Sequence, residues 1–148
     1  MAQRTQSLQL AFAFAAGFIA VLVFHQGVLA LLYSINFSSR APYSIDPTQP
    51  FGIPQVWSLS FWGGVWGLIL AAISPYLPGD RRYWFATFLF GAIVPTLVTF
   101  FIVAPLKGQP IATGGNPTAI ITALLINGTW GIGTAWLWKL LSRQTVLN

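Results

Sequence analysis

The segment that decides the fold is LQLAFAFAAGFIAVLVFHQGVLALL, residues 8–32. It contains no Lys, Arg, Asp or Glu, and about 20 apolar residues are enough for a helix to cross the hydrocarbon core of a membrane. It is also longer than the apolar core of a cleavable signal peptide, which has about 7–15 residues. The segment therefore predicts an uncleaved first transmembrane helix, at about residues 8–33.

The rest of the 148-residue chain has the same character, with 55% hydrophobic and 6% charged residues; soluble domains have roughly 25% charged residues. Further apolar runs at about residues 54–74, 82–104 and 117–141 predict three more spans, with loops at 34–53 and 105–116. We therefore predict an all-α, four-transmembrane-helix bundle that forms a single membrane domain over residues 1–148. The basic residues are scattered, so they do not indicate nucleic-acid binding.

Proline and capping residues mark the ends of the predicted helices. Asp80 is placed to cap the third helix and Asn116 the fourth, with Pro117 at the first helical position. Pro95 lies inside the third helix. Because its ring clashes with the carbonyl group of Gly91, we expect a kink there.

The distribution of basic residues predicts the orientation of the bundle. Four spans place both termini on one side of the membrane, and that side would carry Arg4, Arg81, Arg82, Lys139 and Arg143. The other side would carry only Arg40 and Lys107. Because basic residues favour the cytoplasmic side, both termini are predicted to be cytoplasmic and the loops at 34–53 and 105–116 to face outward.

Small residues at four-residue spacing predict close contacts between helices. In the second span, Ser60 and Gly64 form one such pair and Gly63 and Gly67 another, and Gly131 lies on a similar face of the fourth span. Small residues let helix backbones approach closely. Packing inside the bundle and a dimer interface are both compatible with this pattern.

Polar side chains inside the spans are predicted to share one level. At a rise of about 1.5 Å per residue, His25 and Gln26 lie about 25 Å from the cytoplasmic end, and five further residues at roughly 20–24 Å. These five are Ser58, Ser60, Thr96, Thr99 and Asn127. We expect them to form a polar layer, with a small cavity, in the outer half of the membrane and covered by the two outward loops.

His25 is the only histidine in the chain, and the residues three and four positions away on its helix are apolar. Its partner is therefore expected on another helix, in the outer loops, in water or in a ligand, with Asn127 as the expected residue. A proton relay, a pigment or haem contact, a quinone contact and a purely structural histidine all remain open.

The residues that the chain lacks exclude several functions. There is no cysteine, and neither Asp46 nor Asp80, the two acidic residues, lies in a predicted span. Proton-coupled export through an intramembrane carboxylate and thiol oxidation are therefore disfavoured. We identify no catalytic residue and no metal site, and the cofactor stays unknown.

Five segments resemble a group of uncharacterised bacterial four-span inner-membrane proteins found among proteobacteria. The segments are FHQG at 24–27, APYS at 41–44, FWGGVWG at 61–67, APLKGQP at 104–110 and INGTWG at 126–131. The resemblance extends over nearly the whole chain. It implies a four-helix fold in the bacterial inner (cytoplasmic) membrane, and it implies no activity and no ligand residue.

Two functions follow from these patterns. The first is a non-enzymatic accessory or assembly subunit that packs, among membrane lipids, against itself as a homo-oligomer or against a larger membrane complex. The second is a protein that binds or transports a small molecule, such as a lipid, quinone or pigment, around His25 and Asn127. An enzyme ranks third. A binding protein predicts a concave pocket at these residues, whereas a structural subunit predicts a filled interior.

Overall fold

The computed structural model describes residues 2–144, most of which belong to four long helices. Each helix is long and apolar enough to cross a membrane. We number them in chain order and give the apolar, membrane-length range of each: α1 Gln6–Ser34, α2 Gln55–Tyr76, α3 Arg82–Leu106 and α4 Pro117–Arg143. These ranges overlap the four spans predicted from the sequence, and the all-α bundle is the fold observed.

Two of the helices change their geometry part of the way along. In α1, a π-helical turn at Val21–His25 separates the α-helical parts Ala2–Ala20 and Gln26–Ser34. In α3, the α-helical part Arg82–Val98 contains Pro95 and is followed by a π-helical turn at Thr99–Val103. A kink was expected at Pro95. The departure from α-helical geometry in α3 begins at Thr99, four residues after that proline.

The remaining elements are short. Helix α2 is α-helical over Gln55–Ile73 and ends in a 3-10 turn at Ser74–Tyr76, and α3 ends in an α-helical stretch at Ala104–Leu106. Two strands, β1 at Pro47–Thr48 and β2 at Ile53–Pro54, pair antiparallel. A 3-10 turn at Ile111–Gly115 precedes α4, which is α-helical over Pro117–Gln144. The segment at 34–53, which was predicted to be a loop, therefore contributes to a small β-ribbon.

The capping residues act as the sequence predicts. The Asp80 carboxylate accepts the Arg82 backbone N–H at 2.8 Å and pairs with the Arg82 guanidinium at 3.0 Å. These bonds to Arg82 lower the pKa of Asp80 below its usual value. At the start of α4, Asn116 Oδ1 accepts the backbone N–H of Ala119 at 3.2 Å. Both helix starts thus have a side-chain acceptor for an otherwise unpaired backbone donor.

The helices pack in the order α2, α1, α4, α3. Helix α1 packs against α2 and α4, and α4 packs along α3. Helices α2 and α3 make few contacts, among them an edge-on contact of the Trp66 and Phe90 rings with centroids 6.3 Å apart. At the end that holds the termini, the Ser142 hydroxyl donates to Gln9 Oε1 at 2.7 Å. The bundle is therefore open between its two outer helices.

The closest approach of α1 to α2 is made by backbone atoms. Gly17 of α1 lies so close to Gly63 and Gly67 of α2 that a Cβ atom at Gly17 would overlap the Gly63 carbonyl group. The indole N–H of Trp130, on α4, donates to the Gly17 carbonyl oxygen at 3.0 Å in the buried interior. Three helices therefore meet at Gly17.

A second close contact joins α3 and α4. A Cβ atom at Gly131 would overlap the Thr87 carbonyl oxygen, and one at Gly91 would overlap the carbonyl oxygen of Asn127. On the other side of the bundle, Gly64 of α2 lies against the Phe14 ring of α1.

The sequence left open whether these glycines pack inside the bundle or form a dimer interface. In the structure, all four of them make contacts within one chain: Gly63, Gly64, Gly67 and Gly131.

Gly17→Ala tests whether this backbone contact sets the stability of the bundle. We expect a loss of about 1–3 kcal/mol, because the added methyl group must push α1 and α2 apart. Gly27→Ala is the matched control, since Gly27 lies on the same helix and a Cβ atom there would meet nothing within 4 Å. The control should be neutral or stabilise by roughly 0.5–1 kcal/mol.

Thermal unfolding in mild detergent, followed by tryptophan fluorescence, measures both variants. Equal midpoints for Gly17→Ala and Gly27→Ala would contradict this account of the packing.

Candidate functional site

A cavity of about 1060 Å³ lies between the helices at the end of the bundle where the two longer connecting segments meet. Four of the seven residues predicted to form a polar layer line it: His25, Thr96, Thr99 and Asn127. Residues 36–40, 109–110 and 113 of the connecting segments line it as well. The cavity is thus walled by helices and by both of these segments.

The four lining residues lie at a similar depth. His25 lies nine residues before the end of α1, Asn127 ten residues after the start of α4, and Thr96 ten residues before the end of α3. At about 1.5 Å per residue, each is about 14 Å from the loop end of its helix. Thr99 is closer to the loop end of α3, at about 10 Å. The cavity therefore reaches well into the bundle.

The other three predicted residues lie outside the cavity wall. The Ser60 hydroxyl is fully buried and donates to the Val56 carbonyl oxygen of its own helix at 2.8 Å. Ser58 is half-buried on α2 and does not line the cavity. Gln26 is buried behind His25 and contributes through its hydrogen bonds.

Gln26 links the His25 ring to the connecting segment. Its Oε1 atom accepts the backbone N–H of Tyr43 at 2.7 Å, and its Nε2 atom lies 3.3 Å from His25 Nδ1. Because a backbone N–H can only donate, the Gln26 oxygen must face Tyr43, and the amide NH₂ group must face the ring. His25 Nδ1 is then the acceptor, so the ring proton is on Nε2.

The expected hydrogen bond between His25 and Asn127 is not formed. Asn127 Nδ2 instead donates to Thr96 Oγ1 at 2.8 Å, which ties α4 to α3. The expectation that His25 has no partner on its own helix was also wrong, because Gln26 is that partner. The wider π-helical turn that ends at His25 brings successive side chains closer together around the helix axis. His25 and Asn127 still line the same cavity.

The π-helical turn in α1 receives a second bond from the connecting segment. The Tyr43 hydroxyl donates to the Leu22 carbonyl oxygen, inside this turn, at 2.8 Å. Tyr43 has a φ of 53°, in the left-handed region that bulky residues rarely adopt. Two hydrogen bonds, one through its backbone and one through its ring, hold Tyr43 in this conformation.

Arg40 is the one charged residue in the cavity wall. Arg40 is an exposed residue, and the protein atoms around its guanidinium lower the pKa of that group by partial desolvation. Arginine nevertheless stays protonated. His25 lines the same cavity. The cavity wall therefore contains a positive charge and an imidazole ring.

No acidic side chain is placed to neutralise Arg40. The chain has only two, Asp46 and Asp80. The Asp46 carboxylate accepts the Ser44 hydroxyl at 2.8 Å on the exposed surface and does not line the cavity, and Asp80 pairs with Arg82. Within residues 2–144, the Arg82–Asp80 bridge is the ion pair observed. Neither acidic side chain of the chain is therefore a counter-ion for Arg40.

A narrow cleft of about 80 Å³ extends the site between α2 and α3. His25, Thr99 and Asn127 line both the cavity and this cleft. The cleft also touches Trp62, which is 57% exposed, and Pro95. The site therefore reaches the outer surface of the bundle through the gap between its two outer helices.

The donors of the site suit a ligand that offers oxygen acceptors. The His25 Nε2–H group has no partner among the described residues, and the Arg40 guanidinium adds further donors. In residues 2–144, no group of three His, Asp or Glu side chains is close enough to hold a metal ion. The geometry thus fits binding through hydrogen bonds and charge.

Sequence reasoning did not identify Arg40 and Tyr43 as site residues. Both lie in a proline-containing segment without periodicity, so their positions depend on how that segment folds back onto the helices. The predicted polar layer could have pointed to them, because buried polar groups need hydrogen-bond partners and this segment was the nearest source of partners outside the helices.

No known protein family, curated protein sequence or solved structure matches this chain.

Proposed function

We propose that this chain is a membrane protein that binds a small amphiphilic molecule, such as a lipid, quinone or pigment, in the cavity around His25 and Asn127. The observation that carries this proposal is the cavity of about 1060 Å³ at these two residues. Small-molecule sites commonly have volumes of about 300–1,000 Å³ and combine apolar walls with a few polar groups. A subunit with a purely structural role would be expected to have a filled interior.

An accessory or assembly subunit is the second candidate. It follows from the small-residue faces, which the sequence left open as a possible interface with a partner chain. Gly63, Gly67 and Gly131 are occupied by contacts within the bundle, which supports ranking this function below binding. The two functions differ in their ligand: only the first requires a molecule in the cavity.

Ala123→Phe tests the binding function by filling the cavity. Ala123 lines the cavity on α4, so a phenyl ring there would occupy space that the ligand needs. Leu125→Phe is the matched control, because Leu125 lies on the same helix, does not line the cavity and is 37% exposed. Native mass spectrometry after purification in mild detergent measures the molecules that each variant retains from the membrane.

We expect the wild type and Leu125→Phe to retain the same bound molecule and Ala123→Phe to lose most of it. Equal retention by all three proteins, or a wild type free of any bound molecule, would contradict the binding function.

We also propose that the bundle lies in the bacterial inner membrane, as the resemblance of its five segments implies, with both termini in the cytoplasm. The basic residues Arg81, Arg82 and Arg143 lie at the end of the bundle that holds the termini. This charge supports a cytoplasmic position for that end. The cavity and its two covering segments would then face outward.

Single cysteines test this orientation cleanly, because the chain has none of its own. Ile45→Cys lies in the first outward segment, where Ile45 is 76% exposed, and Gly79→Cys lies in the opposite loop. A membrane-impermeant maleimide added to intact cells should label Ile45→Cys, and label Gly79→Cys only after permeabilisation. The reverse labelling pattern would show the opposite orientation.

A further inference from the structure

We propose that the cavity binds the anionic oxygen group, a phosphate or a carboxylate, of its ligand, with Arg40 as the counter-ion and the His25 Nε2–H group as a hydrogen-bond donor. This inference rests on the proposed binding function and specifies the ligand that the same cavity takes. A lipid headgroup and a free phosphate ion share this chemistry.

The first argument is the charge of the cavity. Arg40 is the only charged residue in its wall, and both acidic side chains of the chain are engaged elsewhere. Arg40 is exposed but partly desolvated, and a partly desolvated charge is stabilised by an opposite charge and by hydrogen bonds. A phosphate or carboxylate group supplies both, since guanidinium binds these groups through two parallel hydrogen bonds.

The second argument is the buried histidine in the same wall. His25 is only 5% exposed, lines the cavity and accepts a hydrogen bond from Gln26 at Nδ1. Its Nε2–H group is therefore a donor held in a fixed orientation by the bonded pair of Gln26 and Tyr43. A fixed donor in the same cavity wall as a positive charge favours an acceptor that carries negative charge.

The third argument is the position of the α4 N-terminus. Asn116, Thr118 and Ala119, at the start of this helix, line the cavity. The N-terminus of a helix carries partial positive charge and favours anions. Arg40, His25 and the start of α4 thus contribute to the same electrostatic preference from two helices and one connecting segment.

The cleft between α2 and α3 suggests how a lipid would fit. It joins the cavity at His25 and reaches the exposed face of Trp62. A headgroup in the cavity could therefore continue into an acyl chain that leaves between these two helices. A free phosphate ion would occupy the cavity alone.

The experiment compares lipids of different charge on delipidated protein in detergent. Native mass spectrometry titrates the protein with phosphatidylglycerol, which carries an anionic phosphate group, and with diacylglycerol of the same acyl chains, which carries none. We expect the wild type to prefer phosphatidylglycerol by about tenfold or more. Arg40→Gln should abolish this preference and Arg40→Lys should retain part of it.

Lys107→Gln is the matched control for the lost charge. Lys107 lies in the other connecting segment, is exposed and does not line the cavity, so its substitution should leave the preference intact. An equal preference in the wild type and Arg40→Gln, or an equal loss in Lys107→Gln, would overturn the inference.

Two further arms separate the possible outcomes. Inorganic phosphate should fail to displace phosphatidylglycerol if the ligand is a lipid. It should displace phosphatidylglycerol in proportion to concentration if the cavity selects the anion alone, and both results support the anionic site.

If Ala123→Phe blocks lipid binding while Arg40→Gln has no effect, the binding function stands and the anionic inference fails. If Ala123→Phe binds like the wild type, the binding function itself fails.

Discussion

The bundle depends on the contact at Gly17, where the backbones of α1 and α2 meet and a side chain of α4 reaches the same point. Gly63 and Gly67 bring α2 against α1 there, and the Trp130 indole of α4 donates to the Gly17 carbonyl oxygen. Because α1 occupies this central position, α2 and α3 are left on the outside of the arrangement with few mutual contacts. The gap between them and the cavity at the loop end both follow from this packing order.

The same arrangement explains why polar chemistry is concentrated in one half of the molecule. The π-helical turn at Val21–His25 directs His25 into the cavity and leaves the Leu22 carbonyl oxygen available to the Tyr43 hydroxyl. Gln26 then fixes the ring through Nδ1 and fixes the connecting segment through the Tyr43 backbone. Arg40, three residues before Tyr43, is brought into the wall by the same anchoring. One set of hydrogen bonds therefore positions both the His25 Nε2–H donor and the Arg40 guanidinium.

Much of this architecture could be predicted from the sequence, because helix ends and apolar runs are local properties. Asp80 and Asn116 accept backbone donors at helix starts, as their positions predict. The two π-helical turns, the β1–β2 ribbon and the Gln26–His25 bond could not be predicted, since each depends on tertiary contacts that no periodicity records. The depth argument selected His25, Thr96, Thr99 and Asn127, which line the cavity, together with Ser60, which bonds to its own helix. Depth along a helix does not specify the direction in which a side chain points.

The most direct measurement is ¹⁵N NMR of protein labelled only at histidine, since the single histidine of the chain gives one pair of ring nitrogen signals. We expect a protonated Nε2 and an unprotonated Nδ1, with the Nε2 signal shifting when an anionic amphiphile is added and staying unchanged with its uncharged counterpart. A ring protonated at Nδ1 alone, or an Nε2 signal that does not respond to the anionic amphiphile, would contradict an anion-binding site at His25.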